Sequence, residues 1–254
     1  MRLRHRLLCA AFCVLLLLQG CAGEPDPTEP TSRVPRNERA ASDFTVEDGL
    51  VRYPGALLGV DVSSHQERID WEKVRRSGIS FAILQLGYRG YTEGALHLDE
   101  RYEENISEAR KAGLKVGVYF FSQALSVEEA EEEAEFVLDT LNGEKLDFPV
   151  FYDWEEVSTG RTGGKLTSAI TDYARAFCDK VSAEGYESGV YFNQVYGLLY
   201  LRLEELCDRT FWLAEYRDAM TFRYNAAMWQ FTSSGEIDGI DTRADVDLYF
   251  PEGT

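Results

Sequence analysis

Between residues 57 and 250, short apolar runs alternate with longer segments in which apolar residues recur every three or four positions. The short runs predict strands and the periodic segments predict amphipathic helices. Strands are predicted at residues 57–62, 79–86, 115–122, 148–155, 187–193, 210–216, 226–232 and 245–250. Helices are predicted between the first six strands, at residues 71–77, 99–112, 127–141, 167–184 and 195–206.

This order of elements predicts the fold class. Strands that alternate with helices form parallel sheets, and eight strands are enough to close such a sheet into a barrel. The last three predicted strands leave almost no room for helices between them. We therefore predict an α/β fold, a modified TIM-like barrel of the form (β/α)5(β)3, in which five β/α units are completed by three strands with short connections.

The first twenty residues have the pattern of an export signal. A basic segment at residues 1–6 precedes an apolar stretch at residues 7–18, which is too short to span a bilayer as a stable helix. The tetrapeptide Leu-Gln-Gly-Cys at residues 18–21 resembles a bacterial lipobox, which implies cleavage before Cys21 and a lipid on that cysteine. The alternative is an ordinary signal peptide cut nearby. We expect a bacterial protein that is anchored outside the cytoplasm to the cell membrane.

Residues 21–54 are predicted to be a disordered tether. Of the seven prolines of the chain, four lie between residues 25 and 35, among charged and hydroxyl side chains with few apolar residues to bury. A tether of this length could extend roughly 100 Å at about 3.1 Å per residue. The catalytic barrel is then expected in residues 55–254, and we expect it to be a monomer.

The net charge and the number of histidines exclude several classes of function. The net charge of −18 argues against nucleic acid and against adsorption to anionic lipid. Beyond the signal, His65 and His97 are the only histidines, so we predict no metal site and no cofactor.

The six glutamates between residues 128 and 135 are interpreted as a solvated helix face. Cys178 and Cys207 could form a disulfide in an exported protein, but free thiols are slightly favoured.

Two carboxylates end the fourth predicted strand. Residues alternate faces along a strand, so Asp153 and Glu155 point the same way with Cβ atoms roughly 6.5–7 Å apart. That separation is on the scale of a glycosidase acid/base pair. The alternative is that the two acids simply lie at a solvated strand end. It is less favoured because other predicted strands also end in acids, Asp61 in the first and Glu215 in the sixth, and the ends of parallel strands meet at one edge of a barrel. Asp247 lies within the eighth strand.

An ordered set of motifs resembles glycoside hydrolase family 25, the Chalaropsis-type lysozymes. The matching segments are residues 59–66 followed by 69–71, then 113–121, Asp-Trp-Glu at 153–155, 212–216, 229–230 and 246–247. Two positions depart from the family pattern. Glu67 stands where many members have glycine, and residues 85–89 follow the second-strand motif only loosely.

The resemblance implies an N-acetylmuramidase acting on peptidoglycan. Glu155 then matches the general acid and Asp153 the second catalytic carboxylate, with Asp61 and Asp247 as supporting acids. The positions expected to contact the sugar are Tyr119, Tyr191, Glu215 and Gln230, although the two tyrosines and Gln230 could equally be core residues. The carboxylate spacing leaves the mechanism open, and a substrate-assisted route through the 2-acetamido group is favoured.

Two other functions compete with this one. A chitinase-like N-acetylglucosaminidase also ends its fourth strand with two acids, but that family's pattern requires a further aspartate where this chain has Phe151. A surface glycan-binding barrel that has lost catalysis is the second alternative. Retention of every expected carboxylate argues against it.

Overall fold

The computed structural model describes residues 33–251. Its helices are α1 (Trp71–Arg76), α2 (Tyr102–Lys111), α3 (Val127–Leu141), α4 (Ile170–Ala183) and α5 (Gln194–Leu199). Its strands are β1 (Thr45–Glu47), β2 (Leu50–Arg52), β3 (Leu57–Val62), β4 (Phe81–Arg89), β5 (Leu96–Leu98), β6 (Lys115–Ser122), β7 (Val150–Trp154), β8 (Ser188–Asn193), β9 (Thr210–Ala214), β10 (Met228–Gly235) and β11 (Ala244–Tyr249).

Eight of these strands close into a barrel, which confirms the predicted fold class. Their order is β3-β11-β10-β9-β8-β7-β6-β4, and pairing of β3 with β4 closes the ring. Neighbouring strands are parallel from β3 through β10, whereas β11 is antiparallel to both of its neighbours. In the described chain no α-helix separates β9, β10 and β11. The strand β5 pairs only with the outer end of β4.

Two apolar clusters follow from the alternation of side chains along the strands. A small cluster fills the barrel interior and includes Phe81, Phe151 and Trp212. A larger one lies between the strands and the helices. Gly59 makes room for the interior cluster, because a Cβ at that position would stand 2.2 Å from the Phe81 ring. The interior is therefore packed below the end of the barrel at which the parallel strands finish.

One predicted helix is shorter than expected. The pattern over residues 195–206 continues as far as Leu206, but α5 ends at Leu199 and a separate 3-10 turn covers Leu203–Glu205. The backbone N–H of Arg202 is donated to Thr171 Oγ1 at 3.0 Å, outside any helix. Leu203 and Leu206 are nonetheless buried. The spacing of apolar residues therefore marked two consecutive segments that each bury side chains, and not one continuous helix.

Residues 34–54 pack on the barrel, so the predicted disordered tether is wrong for this part of residues 21–54. Val34, Phe44 and Val51 are buried in the outer cluster. The backbone of the segment is also engaged, since Asn37 N donates to Arg223 O at 3.0 Å and Asn225 N donates to Pro35 O at 2.8 Å. Residues 21–32, with the signal and Cys21, lie outside the described residues.

The reason is the missing helix layer over the last strands. Outward-facing aromatic residues of that region would meet water if nothing covered them. The Phe44 ring lies 5.3 Å from the Trp229 ring in an edge contact and 4.8 Å from the Tyr53 ring. A polar, proline-bearing sequence thus contributes a few well-placed apolar side chains, and these are enough to hold it on the barrel.

Two smaller expectations can be compared with the described residues. Cys178 is buried, Cys207 is exposed and both are free, as was slightly favoured. Glu133 contradicts the solvated helix face, because it is fully buried and its Oε1 accepts from Arg89 Nε at 2.7 Å. Burial raises the pKa of Glu133 to about 7, against the opposing bonds from Ser122 and Arg89. No helix within residues 33–251 is long and apolar enough to cross a membrane.

Candidate active site

Acidic side chains from three strands meet at the carboxyl end of the barrel. Asp61 comes from β3, Asp153 from β7, and Glu155 follows β7 directly. Because β11 runs in the opposite direction, its first residues reach this same end, and Asp245 lies directly across from Asp61 in the strand register. Asp247 lies one pleat deeper, opposite Gly59. The predicted convergence of Asp61, Asp153 and Glu155 is therefore a feature of the structure.

The pair on β7 is poorly solvated. Asp153 is buried and Glu155 is half-buried. Burial, and then the negative charge of Glu155, raise the pKa of Asp153 well above its usual range. Burial, and then the charge of Asp245, raise the pKa of Glu155. Like charges so close cannot both form cheaply, so burial and mutual repulsion favour a single negative charge shared by the pair.

One oxygen of this pair has no partner. Asp153 Oδ1 is buried and accepts no hydrogen bond from any described group. A buried acceptor that is left unsatisfied costs about 1–3 kcal/mol, so such atoms in folded proteins call for an explanation. At the end of a barrel that is open to solvent beside a half-buried acid, a bound ligand with an N–H or O–H donor would satisfy it.

Gln230 connects Asp61 to two tyrosines. Its Nε2 donates to Asp61 Oδ2 at 2.8 Å, and its Oε1 accepts from the hydroxyls of Tyr191 and Tyr216, each at 3.0 Å. The bond from Gln230 lowers the pKa of Asp61, but burial and the charges of Asp245 and Asp247 dominate and raise it well above its usual value. Gln230 and Tyr191 thus lie at the site but already have polar partners.

Asp247 lies at the floor of the acid cluster. Its Oδ1 accepts from Trp212 Nε1 at 2.8 Å. Burial raises its pKa to about 8, although the bonds from Trp212 and Asp61 oppose the shift. The contact between the Asp61 and Asp247 carboxyls is a hydrogen bond only when one of them carries a proton. A neutral carboxyl at this depth keeps the cluster from accumulating charge.

Aromatic side chains surround the acids. Trp212 lies in an edge contact with Tyr191, with ring centroids 4.8 Å apart, and with Tyr119 at 6.0 Å. Burial and then the charges of Asp61 and Asp153 raise the pKa of Tyr119 well above its usual value, so its hydroxyl stays protonated. Tyr119 is half-buried. It can therefore offer both a ring face and a donor to a ligand.

Glu215 lies apart from the acid cluster, and the structure gives it a different role from the expected sugar contact. Its Oε2 accepts from Thr221 N at 2.8 Å and from Phe222 N at 3.2 Å, and its Oε1 accepts from the Thr221 hydroxyl. By the alternation along β9 it continues the outward face of Leu213, whereas Trp212 faces inward. Glu215 therefore holds the loop between β9 and β10.

Three residues of the site were missed by sequence reasoning. Asp245 shares the face of Asp247 two positions away, and an antiparallel last strand would have placed it at the open end. Trp212 was part of a matching motif, but its bond to Asp247 depends on register across the barrel. Tyr216 belongs to the same matching segment, but it is 56% exposed, and nothing in the sequence indicates its bond to Gln230. Within residues 33–251 no three His, Cys, Asp or Glu side chains are arranged so that they could hold a metal ion.

Comparison with known proteins places this geometry in a family. The family model described as glycosyl hydrolases family 25 matches residues 60–240. The autolytic lysozyme of Clostridium acetobutylicum is 29% identical over 198 residues, which cover 78% of this chain and 56% of the relative. The autolysin LytC of Streptococcus pneumoniae, solved with a synthetic peptidoglycan ligand, superposes with a TM-score of 0.68 at 25% identity. That match covers 82% of this chain and 52% of LytC.

A third comparison concerns the fold alone. A family 25 glycosyl hydrolase from Bacillus anthracis superposes with a TM-score of 0.64 at 18% identity, over 85% of this chain and 96% of that one. The chain thus spans about half the length of the lysozyme and the autolysin that it resembles, but nearly all of this shorter structure. The motif order, the closed barrel and the family match agree: the chain belongs to glycosyl hydrolases family 25.

Proposed function

We propose that the protein is a peptidoglycan hydrolase that cleaves the β-1,4 bond between N-acetylmuramic acid and N-acetylglucosamine. The observation that carries this proposal is the Asp153/Glu155 pair, two same-facing carboxyls with raised pKa values at the open end of a family 25 barrel. The similar proteins named as lysozyme and autolysin support the substrate class. No metal or cofactor is required by this chemistry.

Glu155 is the general acid in this proposal. It follows β7 directly, lies further out than Asp153 and is half-buried, so a glycosidic oxygen can reach it from the carboxyl end of the barrel. Burial and the charge of Asp245 raise its pKa, which favours the protonated form that a general acid needs. As the bond to the leaving sugar breaks, the proton passes from the Glu155 carboxyl to the glycosidic oxygen.

Asp153 is the second catalytic carboxylate. Its unpartnered Oδ1 suits the N–H of a 2-acetamido group, and that hydrogen bond would turn the acetamido oxygen toward the anomeric carbon. In this substrate-assisted route the acetamido oxygen forms a bond to the anomeric carbon as the glycosidic bond breaks. Water then opens the resulting ring and gives its proton to Glu155, which restores the acid. With the proton of the pair on Glu155, Asp153 is ionised and stabilises the positive charge that develops on the acetamido group.

The remaining site residues support this pair. Asp61 and Asp247 hold the supporting positions, and Asp245 joins them because it faces Asp61 from β11. Tyr119 and Tyr191 supply ring faces for sugar C–H groups, and Gln230 keeps Asp61 in place. Burial, and then the charges of its neighbours, raise the pKa of Asp61 well above its usual range, which favours its neutral form and so limits the negative charge near the reaction.

We further propose that the protein acts outside the cytoplasm and is held at the membrane by lipid on Cys21. Support comes from the lipobox-like residues 18–21 and from the nature of the substrate. Since residues 34–54 pack on the barrel, only residues 22–33 would remain to link the lipid to the domain. Cys21→Ser should release the protein from the membrane fraction or leave it uncleaved there, and unchanged size with unchanged detergent partitioning would exclude the anchor.

The test of the proposed activity is a digest of purified peptidoglycan followed by borohydride reduction and mass spectrometry of the fragments. We expect reduced N-acetylmuramic acid at the new ends. Reduced N-acetylglucosamine, or release of sugars from chitin at a comparable rate, would favour the chitinase-like alternative. Binding to the wall with no new reducing ends would favour a glycan-binding barrel.

A further inference from the structure

Glu155 lies just beyond the regular part of the barrel. Pairing between β6 and β7 ends at Ser122 opposite Trp154, one residue before Glu155. Beyond that pair the strand ladder no longer fixes the backbone. The position of the Glu155 side chain therefore depends on whatever holds its own peptide group.

Beyond the last strand pairing, two fully buried side chains hold the backbone of Glu155 by hydrogen bonds. Gln123 Nε2 donates to the carbonyl oxygen of Glu155 at 2.7 Å, and also to the carbonyl of Ser122 at 3.0 Å. The Thr162 hydroxyl donates to Gln123 Oε1 at 2.8 Å and stands 3.3 Å from the same Glu155 carbonyl. Neither Gln123 nor Thr162 has exposed surface. The Gln123 amide thus acts as one additional rung between β6 and the segment after β7.

The same bonds also fix the loop that follows Glu155. Val157 N donates to Thr162 Oγ1 at 2.8 Å, so the hydroxyl is both donor and acceptor. On the other side of the acid, Trp154 Nε1 donates to Ala124 O at 2.8 Å. Glu155 is therefore held on both flanks by groups that follow β6. Buried hydrogen bonds of this kind restrict motion, because breaking one leaves an unsatisfied polar group.

We propose that Gln123 and Thr162 are positioning residues that set the location of the Glu155 carboxyl through its backbone. This inference rests on the proposed function, in which Glu155 is the general acid. Neither side chain reaches the reacting atoms itself. A displacement of about 1 Å in a catalytic group can reduce the rate by roughly 10²-fold, so the loss of this clamp should be visible in kcat.

Thr162→Val removes the hydroxyl and keeps the shape. We expect kcat to fall at least about 10-fold while KM changes less than about 2-fold, because the sugar-contacting surface is intact. The basic limb of the pH profile should also shift, since it reports the ionisation of the acid. Thr162→Ser, which restores the hydroxyl, should recover most of the rate. Gln123→Met is a second variant for the case that Thr162→Val does not fold.

Thr171 provides a matched control. It is also fully buried, and its hydroxyl also accepts a backbone N–H, but it lies on α4 and holds Arg202, at 3.0 Å, instead of the segment around Glu155. Thr171→Val should lower stability comparably and leave kcat and the pH profile unchanged. Equal effects of the two valine variants on kcat would overturn the inference, as would full activity of folded Thr162→Val and Gln123→Met.

A double variant separates this inference from the function on which it rests. In the background of Glu155→Gln, the Thr162→Val change should cost little further activity, because the clamp acts through the acid. A full multiplicative loss in the double variant would contradict positioning through Glu155. If Glu155→Gln alone retains near wild-type rate, the proposed function fails. If it is inactive while Thr162→Val is fully active, only the clamp fails.

Discussion

The amide of Gln230 donates to Asp61 Oδ2 at 2.8 Å and so links β10 to β3 across the intervening strand β11. The strand that it crosses carries Asp245 and Asp247, and a negative charge on either of them opposes ionisation of Asp61. One neutral amide therefore stabilises the carboxylate form of Asp61, while two neighbouring acids and burial favour the protonated form. The protonation state of the site is set by this balance and by no single pair.

The first prediction concerns stability and pH. The pKa of Asp247 is raised to about 8 in the folded protein, above its value in an unfolded chain. Between the unfolded pKa and pH 8 the folded state binds more protons, so this contribution to stability is complete at low pH and is lost as the pH rises through about 8. Asp247→Asn keeps the acceptor for Trp212 without the titration. We expect the variant to gain at least about 1 kcal/mol relative to wild type between pH 5 and pH 8, since one pKa unit is worth about 1.4 kcal/mol.

Thermal unfolding at a series of pH values measures this difference. Asp139→Asn, on the exposed face of α3, is the control and should follow the wild-type curve. Parallel curves for wild type and Asp247→Asn would contradict the buried, protonated state of Asp247.

The second prediction tests the role of residues 34–54. Phe44→Ala removes a buried ring that contacts the rings of Tyr53 and Trp229. We expect a loss of about 3 kcal/mol in the free energy of unfolding, as is usual for such a truncation in a core. Val46→Ala in the same segment should change stability little, because Val46 is 53% exposed. Denaturant titration gives both values, and an unaffected Phe44→Ala protein would mean that the segment is dispensable.

The third prediction concerns Glu67, where many family members have glycine. Its backbone has φ 56° and ψ −128°, a conformation that a side chain disfavours. Glu67→Gly should therefore stabilise the protein by about 1 kcal/mol. Glu131→Gly, at an exposed position within α3, should instead destabilise it by about 1 kcal/mol. If calorimetry finds that both changes destabilise equally, the strain at Glu67 is absent.

Local patterns predicted most of the barrel because its elements have strong local signals. The bounds of β3, β6 and α3 match the periodicity of the sequence. The start of α3 is fixed by a serine cap, because Ser126 Oγ accepts a hydrogen bond from Glu129 N at 3.2 Å. The packing of residues 34–54 was missed because composition averages over a segment. Burial of Phe44 and Val51 holds the segment on the barrel. The surface that buries them is the part of the barrel without covering helices, and it exists only once the barrel has closed.

The same division holds for the site. Asp61 and Asp153 lie one residue before the ends of their strands and Glu155 follows β7 directly, so their positions in the sequence were enough to predict that they lie close together. Glu215 also ends a strand, but it faces outward and binds its own loop, and the direction of one side chain at a strand end is fixed by the turn that follows. The bond from Gln230 to Asp61 joins residues 169 positions apart, which no local pattern encodes.

The central claim is that Glu155 donates the proton that cleaves the glycosidic bond, and the rate of Glu155→Gln on purified peptidoglycan tests it most directly. Glutamine keeps the shape of the side chain but has no transferable proton, so the rate should fall by about 10²–10⁴-fold, the usual contribution of general acid catalysis, with the melting curve unchanged. Glu187→Gln makes the same chemical change at an exposed position at the amino end of the barrel strands and should retain full activity. A folded Glu155→Gln protein that digests peptidoglycan at near wild-type rate would contradict the account.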